Sequence, residues 1–194
     1  MRINRKVKIL LKIYSVSDKY INYLRKDFPN VYSNKENRRK HTRKYIGVVL
    51  ELEGYHYYVP MSSPKDSDYQ IAGENRVIKK SIIPIIWIIV RNSKGQKELK
   101  GTLRISHMIP VPASELELYD YENEEDLTYK DLIHDEIIFI RKNKDKIMKN
   151  AQVMYKQKMN QDESAGYIKS ALPFKQLEEM SDSFHCQWFI RRTI

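Results

Sequence analysis

The chain has 194 residues, of which 41% are hydrophobic, and its 35 Lys and Arg outnumber its 25 Asp and Glu to give a formal net charge of +10. This composition excludes an intrinsically disordered chain, and the single cysteine, Cys186, excludes a disulfide within it. The longest apolar run, Ile82–Val90, contains Pro84 and is far shorter than the ~20 residues that a membrane-spanning helix needs. We therefore expect a folded protein of the reducing cytoplasm with no membrane partner.

The positive charge is concentrated at the start of the chain. Residues 1–50 carry 14 Lys and Arg against 3 Asp and Glu, whereas residues 51–194 carry 21 against 22. The densest block, residues 38–44, indicates a surface that binds phosphates, and a solvated loop is the alternative. An acidic membrane is a weaker alternative, because no amphipathic face accompanies the block.

The first half of the chain predicts a strand, a helix and a β-hairpin. Ser17 is a candidate N-cap of the helix, Pro29 ends it, and a polar, basic loop follows over residues 30–44. Gly54, which can adopt a positive φ, marks the turn of the hairpin. The expected elements are strand Leu10–Val16, helix Asp18–Phe28, strand Tyr45–Leu52 and strand His56–Val59.

The second half predicts an irregular segment, Asp66–Ile83, then strands and finally helices. The expected elements are strands Ile85–Arg91 and Leu99–His107, the closing segment Met108–Pro112, and helices Thr128–Met159 and Phe174–Met180. The first of these helices is long enough that we expect a break near Asn150, and Thr128 with Asp131 suggests a capping-box variant. The order predicts one domain over residues 1–194, with residues 1–11 and 185–194 as extensions. Its class is α+β, a small twisted, partly closed antiparallel sheet surrounded by helices.

The residues Ser62-Ser63-Pro64-Lys65 follow the hairpin directly. Pro60 and Pro64 are expected to end the second strand, so that two hydroxyls and one ammonium lie on a loop that the hairpin holds in place. Such groups can grip a phosphodiester. The alternative is an ordinary turn, because Ser, Pro and Lys are common turn residues.

Four segments of the chain resemble one protein family in their order and spacing. They are Lys12–Ile21, Tyr45–Lys65, Gly101–Pro110 and Ile138–Ile147. Taken together, from about residue 12 to about residue 184, they resemble the ToxN/AbiQ/CptN toxins of type III toxin–antitoxin and abortive phage-infection systems.

The resemblance implies a barrel-like sheet similar to the Kid/MazF toxins. It implies a sequence-selective, metal-independent endoribonuclease without a cofactor, held inactive by a small repeat pseudoknot RNA with which it forms a protein–RNA oligomer. The motif of the family corresponds here to Ser62, Ser63 and Lys65. The family also has a tyrosine and a lysine shortly before the first hairpin strand. Counting back without gaps leads to Arg39 and Arg43 instead, and Tyr32 supplies the aromatic ring if the basic loop is an insertion.

Metal-free cleavage of RNA uses the ribose 2′-hydroxyl as nucleophile and leaves a 2′,3′-cyclic phosphate and a 5′-hydroxyl. The protein must align the reactants, neutralise the phosphorane and move two protons. In this scheme Lys65 supplies a point charge, Arg39 and Arg43 clamp a phosphate, and Ser63 donates to a non-bridging oxygen or holds the 2′-hydroxyl. His41 is a candidate proton carrier, since an imidazole exchanges protons near neutral pH, and a solvated loop histidine is the alternative.

Two functions from different classes remain open: the RNA-inhibited endoribonuclease and a non-catalytic RNA-binding module. We expect no metal site, because the histidines are scattered without the spacing of metal ligands. DNA is not expected as a partner. The candidate RNA-binding residues come from the first basic block and from a second basic run, and they are Arg38, Lys40, Lys44, Arg141, Lys142, Lys144 and Lys146.

Overall fold

A computed structural model describes residues 11–35, 41–162 and 164–191, with the backbone alone for residues 185–191. The candidate residues Arg38, Arg39 and Lys40 lie outside the described residues, as do residues 1–10 and 192–194. The strands are β1 (Lys12–Val16), β2 (Lys44–Leu52), β3 (Tyr55–Ser62), β4 (Tyr69–Ala72), β5 (Asn75–Ile78), β6 (Ile85–Arg91), β7 (Lys97–Arg104), β8 (Ile109–Pro110) and β9 (Leu116–Leu118). The helices are α1 (Asp18–Asp27), α2 (Leu127–Lys142), α3 (Lys144–Met159) and α4 (Phe174–Arg191).

A seven-stranded antiparallel sheet forms the centre of the fold. Its strand order is β6-β7-β3-β2-β1-β9, and β8 also pairs with β3. The two edge strands, β6 and β9, are not hydrogen-bonded to each other, so the sheet is open in the described part of the chain. The mixed class of helices and an antiparallel sheet is confirmed.

The hairpin that leads to the candidate site has the predicted turn. Glu53 and Gly54 have φ angles of 50° and 88°, as expected for a two-residue turn whose twist matches that of the strands. The strand after the turn is longer than predicted. Pro60 does not end it, because a proline is tolerated wherever its nitrogen is not needed as a donor, and β3 continues to Ser62.

Four other features differ from the prediction. The segment 66–83 is not irregular throughout but contains the hairpin β4–β5, whose short exposed strands leave no apolar pattern in the sequence. The long helix breaks at Asn143, not near Asn150, because Asn143 ends α2 and its side chain donates to the carbonyl oxygen of Phe139 at 2.8 Å. Asp126, not Thr128, caps α2 by accepting from the backbone N–H of Tyr129. The last helix continues beyond Met180 to Arg191.

The helices cover the sheet and share one hydrophobic core with it. Helix α2 packs on β6 and β7, α3 packs on β2, and α4 packs on β8. Ile133, Ile137 and Ile140 of α2 and Ile147 of α3 are buried in this core, whereas Ile138 of α2 is 50% exposed. In the described ranges, no helix combines the length and the apolar character that crossing a bilayer requires.

A buried polar cluster joins the helices to β3. The carboxyl group of Glu178 on α4 accepts hydrogen bonds from the hydroxyls of Tyr57 at 2.7 Å and Tyr155 at 2.8 Å. Glu178 and Tyr57 are both at most 2% exposed. Because a buried polar group that loses its partner keeps its desolvation cost, this cluster fixes α3 and α4 relative to the sheet.

Substituting Tyr57→Phe should therefore lower the free energy of unfolding by about 1–3 kcal/mol, since Glu178 loses a buried donor. The matched control is Tyr55→Phe, which removes an exposed hydrogen bond to Asp182 and should change stability by less than about 0.5 kcal/mol. Urea unfolding of the two variants measures both values, and equal effects would show that the buried cluster does not stabilise the fold.

Candidate active site

The candidate site lies where β3 ends. Met61 and Ser62 are buried and pair with Leu103 and Thr102 of β7, whereas Ser63, Pro64 and Lys65 are exposed. The sheet therefore fixes the first serine of the motif and presents the second serine and the lysine to solvent. The structure thus divides the predicted trio into one buried residue, Ser62, and two accessible ones.

A buried arginine holds this strand end. Arg43, only 1% exposed, precedes β2, and its Nη1 donates to the carbonyl oxygen of Met61 and to Oγ of Ser62, both at 2.8 Å. Its Nε donates to the carbonyl oxygen of Ser33 at 3.0 Å. A guanidinium stays charged when buried, so these acceptors are what allow it to remain inside the protein. Arg43 therefore orients Ser62, and its burial leaves it poorly placed for the phosphate clamp predicted for it.

Tyr32 joins the same cluster. It lies too far before β2 in the sequence to be reached by counting back without gaps from the first hairpin strand. Its ring lies 4.6 Å from Cζ of Arg43 and stacks on the imidazole of His107 at 4.5 Å. The segment is held in place because the backbone N–H of Arg43 donates to the carbonyl oxygen of Asn34. Tyr32 thus contacts the arginine that holds the strand end, and the basic loop separates it from β2 in the sequence.

His107 is half-buried and contacts this cluster. Its Nδ1 lies 3.0 Å from Oγ of Ser106. Burial, with the nearby charges of Arg104 and Arg43, lowers the pKa of His107 to about 4. It is therefore a neutral ring at physiological pH, and it packs against Tyr32.

The loop after the motif is anchored by a buried carboxylate. Asp68, 1% exposed, accepts from the backbone N–H of Lys65 at 2.8 Å and from Nη2 of Arg104 at 3.1 Å. These bonds fix the backbone at Lys65. Its ammonium has no hydrogen bond or ion pair with another residue in the described ranges. Lys65 is thus a positioned, solvent-facing cation.

A cavity of about 320 Å³ opens beside the strand end, between β2, β3, β7 and the first turns of α2. A shallower depression of about 610 Å³ adjoins it and is bordered by Pro64. His41 borders both, stacking on the ring of Tyr129 at 3.7 Å with Nε2 3.3 Å from Oδ2 of Asp126. The cavity is lined by His41, Thr42, Arg43, Lys44, Met61, Ser62, Ser63, Lys100, Tyr129, Leu132, Ile133 and Glu136.

The remaining basic candidates lie at two different places. Lys44 borders the cavity, its Nζ lies 3.2 Å from Oγ of Ser15 and 3.8 Å from the ring centre of Tyr119, and burial lowers its pKa. The second basic run spans the corner between α2 and α3. Arg141, Lys142 and Lys146 are exposed there, and Lys144 is half-buried. Since a helix rises about 1.5 Å per residue, this corner lies roughly 20 Å from the cavity mouth at Tyr129.

Helix α2 contributes one wall of the cavity, which the sequence did not predict. Tyr129, Ile133 and Glu136 recur at helical spacing, which places them on one face, but an isolated glutamate in an amphipathic helix normally indicates the solvent side. Lys100, another missed residue, pairs with Glu98 at 3.0 Å and Asp135 at 3.3 Å. Within the described ranges, no group of three or more His, Cys, Asp or Glu side chains is arranged to hold a metal ion.

Comparison with known proteins decides which family this arrangement represents. A sequence model of the family described as "Toxin ToxN, type III toxin-antitoxin system" matches residues 12–182. This chain belongs to the ToxN family. The predicted resemblance to the ToxN/AbiQ toxins is therefore confirmed.

Curated relatives carry the same family names. The chain is 29% identical over 144 residues to "Endoribonuclease ToxN" of Pectobacterium atrosepticum, covering 74% of this chain and 79% of the relative. It is 28% identical over 172 residues to "Endoribonuclease AbiQ" of Lactococcus lactis subsp. lactis, covering 89% and 88%.

Solved structures share the fold. A chain from "A processed non-coding RNA regulates a bacterial antiviral system" has a TM-score of 0.70 and 26% identity, covering 87% of this chain and 95% of that chain. The structure of AbiQ, a lactococcal anti-phage endoribonuclease belonging to the type-III toxin-antitoxin system, has a TM-score of 0.71 and 24% identity, covering 91% and 99%. A chain from "New insights into the mechanism of bacterial Type III toxin-antitoxin systems: selective toxin inhibition by a non-coding RNA pseudoknot" has a TM-score of 0.70 and 24% identity, covering 91% and 99%.

The neutral His107 makes the stability of this ToxN-family protein depend on pH. The unfolded chain binds a proton at this residue below a pH of about 6.5, whereas the folded protein does not bind it until about 4. The free energy of unfolding should therefore have its full value above a pH of about 6.5 and should fall by about 1–3 kcal/mol as the pH drops toward 4. Substituting His107→Phe should remove this part of the pH dependence and keep the ring contact with Tyr32.

The matched control is His134→Phe, at an exposed position on α2. Urea unfolding at several pH values measures the difference. An unchanged pH profile in the His107 variant would contradict the assignment of a buried neutral ring.

Proposed function

We propose that this chain is a sequence-selective, metal-independent endoribonuclease toxin whose catalytic groups are presented by the end of β3. Membership of the ToxN family makes it an endoribonuclease of a type III toxin–antitoxin system, as its curated relatives are named. The observation that carries the site assignment is the arrangement around Arg43. A buried guanidinium fixes Ser62, and the next residues present a hydroxyl and a free ammonium to solvent beside a cavity.

The proposed reaction is attack of a ribose 2′-hydroxyl on the adjacent phosphate, which gives a 2′,3′-cyclic phosphate and a 5′-hydroxyl. Lys65 neutralises the phosphorane, and Ser63 donates to a non-bridging oxygen. Ser62 and Arg43 position this strand end, and Tyr32 supports Arg43 through its ring. His41 is the proposed proton carrier, with Asp126 as its partner at the cavity mouth. Arg39 remains a proposed phosphate contact.

Metal independence is supported by the chemistry of the carboxylates near the loop. Asp68 is buried in its pair with Arg104, and Asp66 pairs with Arg76 at 2.7 Å. A magnesium site normally takes one or two carboxylates that are free to face the substrate phosphates. The cations around the motif can instead supply the charge that a metal ion would bring.

The proposed inhibitor is a repeat pseudoknot RNA that forms an oligomer with the toxin, by analogy with the relative whose inhibition by an RNA pseudoknot has been described. The net charge of +10 supports an RNA partner. We further propose that residues 1–194 form one domain, that its open sheet is a relative of the partly closed Kid/MazF barrel, and that the protein acts in the cytoplasm, where its RNA substrates are.

Removing either accessible group of the motif should abolish growth arrest. We expect Ser63→Ala and Lys65→Ala each to reduce the cleavage rate by about 10²–10³, because each removes a donor to the developing charge. Both residues are exposed, so thermal unfolding should be unchanged. The readout is growth after induced expression, with cleavage of single-stranded RNA measured on the purified variants.

Matched controls are Ser93→Ala and Lys94→Ala, in the turn between β6 and β7, roughly 25 Å along the sheet from the motif. Both controls should stay fully toxic. A motif variant that arrests growth as strongly as the wild type would show that the catalytic site lies elsewhere.

The basic corner between α2 and α3 should contribute to RNA binding electrostatically. Neutralising a phosphate releases counterions, so the affinity for RNA should fall steeply as the salt concentration rises. The slope of log affinity against log salt concentration should become shallower by roughly 0.7–0.9 for each phosphate that a variant no longer neutralises. We expect Arg141→Glu/Lys142→Glu to show this change in fluorescence anisotropy titrations at several salt concentrations. The control with the same change in charge is Lys94→Glu/Lys97→Glu. If both pairs change the slope equally, the corner is not a specific RNA-binding surface.

A further inference from the structure

Glu136 is a buried acidic residue that the proposed mechanism does not use. It is 5% exposed, and its carboxyl group has no hydrogen bond or ion pair with another residue in the described ranges. It nevertheless borders the cavity beside the catalytic strand end. The carboxyl group is therefore available to hydrogen-bond a group that enters the cavity.

The carboxyl group of Glu136 lies close to the backbone of β7. A Cβ atom at Gly101 of β7 would lie 2.3 Å from Oε1 of Glu136 and 3.2 Å from the carbonyl oxygen of Ser62. Gly101 therefore lets Glu136 approach the end of β3, where the catalytic residues begin. The acid lies at the side of the cavity that adjoins the site.

The rest of the cavity wall suits a flat, unpaired base. Tyr129, Ile133 and Glu136 lie on one face of α2 because they are spaced by about one helical turn each, and Leu132 and Met61 add apolar surface. One face of the Tyr129 ring is already stacked on His41, so the aliphatic groups supply most of the apolar surface. Apolar surface with one polar group at its end is what a splayed nucleobase requires, since its faces are apolar and its edge carries donors and acceptors.

We infer that this cavity binds one unpaired nucleobase of the RNA substrate and that the carboxyl group of Glu136 reads its Watson–Crick edge. The inference rests on the proposed function, and it assigns Glu136 as a specificity-determining residue. Every nucleobase offers an N–H on that edge, which the carboxyl group can accept. Which base fits best then depends on whether the carboxyl group also carries a proton to donate.

Burial, with the charge of neighbouring Asp135 as a lesser cause, raises the pKa of Glu136 to about 8. Below that pH the neutral acid offers one donor and one acceptor, as the side chain of glutamine does. Above it the carboxylate offers acceptors alone, which favours guanine because its N1–H and amino group donate side by side. Rising pH should therefore shift the preference at one position of the cut site toward guanine.

Other groups that face the cavity also carry charge or titrate. They are Lys100 on β7, Arg43 and Lys44 at the start of β2, and His41 and Tyr129 at the mouth. The pH effect must therefore be compared with that of an isosteric variant. Glu136→Gln keeps one donor and one acceptor at every pH, and Glu136→Leu removes both while filling the same space. The leucine variant should fold, because replacing an unpaired buried polar group by an apolar one is neutral or stabilising.

The test uses a single-stranded RNA pool with randomised sequence, cut by the wild type and both variants and sequenced at the cut ends. We expect Glu136→Leu to reduce discrimination at a single position roughly tenfold, in the range of good base contacts. The wild type should shift toward guanine between a pH well below 8 and a pH well above it, whereas Glu136→Gln should not shift.

Other results would overturn the inference. Unchanged preferences in both variants would show that Glu136 only packs against Gly101, and an equal loss of rate at every site in Glu136→Gln would show that it transfers protons. If the wild type cuts no RNA, the proposed function fails, and a non-cleavable pool with 2′-O-methyl riboses then tests the base pocket separately. The base pocket is supported if the RNA retained by the wild type is enriched in one base at one position and the RNA retained by Glu136→Leu is not. It is refuted if the RNA retained by the wild type shows no base preference.

Discussion

The guanidinium of Arg43 is the interaction on which the candidate site depends. It lies almost fully inside the protein and donates to three separate acceptors, two of them on the last residues of β3. Burying a charge this deeply is costly unless its donors are satisfied, so the segments around Arg43 must keep the geometry that satisfies them. Ser62 is therefore held in a fixed position, and Ser63 and Lys65 follow it on the exposed loop.

The same strand end separates two tasks that an endoribonuclease must perform. Beyond it, the free ammonium of Lys65 faces solvent and the exposed Ser63 borders the cavity mouth, where a phosphodiester can reach both. On its buried side lies the cavity under α2, with an unpaired acid against Gly101. Because β3 and β7 are paired at this point, the phosphate-facing and cavity-facing groups are held at a fixed separation. The sheet thus acts as a spacer between the groups proposed for cleavage and the group proposed for selection.

Much of the scaffold could be predicted from local patterns, but the site could be predicted only in part. The hairpin and the turn at Gly54 followed from alternation and from the conformational freedom of glycine. The motif on the loop and the family resemblance also pointed to the strand end where we propose the site. The burial of Arg43 could not be predicted, because its acceptors come from segments far apart in sequence. Glu136 was missed for the same reason: only tertiary packing turns a polar helix position inward.

The most direct test of the account is cleavage in the absence of available metal. The purified protein, with Ser63→Ala as the control for contaminating nuclease, is incubated with single-stranded RNA in excess EDTA, and the new 5′ ends are tested for labelling by polynucleotide kinase without prior phosphatase treatment. The proposed mechanism predicts cleavage by the wild type alone, with 5′-hydroxyl ends that label directly. Cleavage that requires added magnesium, or ends that carry a 5′-phosphate, would contradict it.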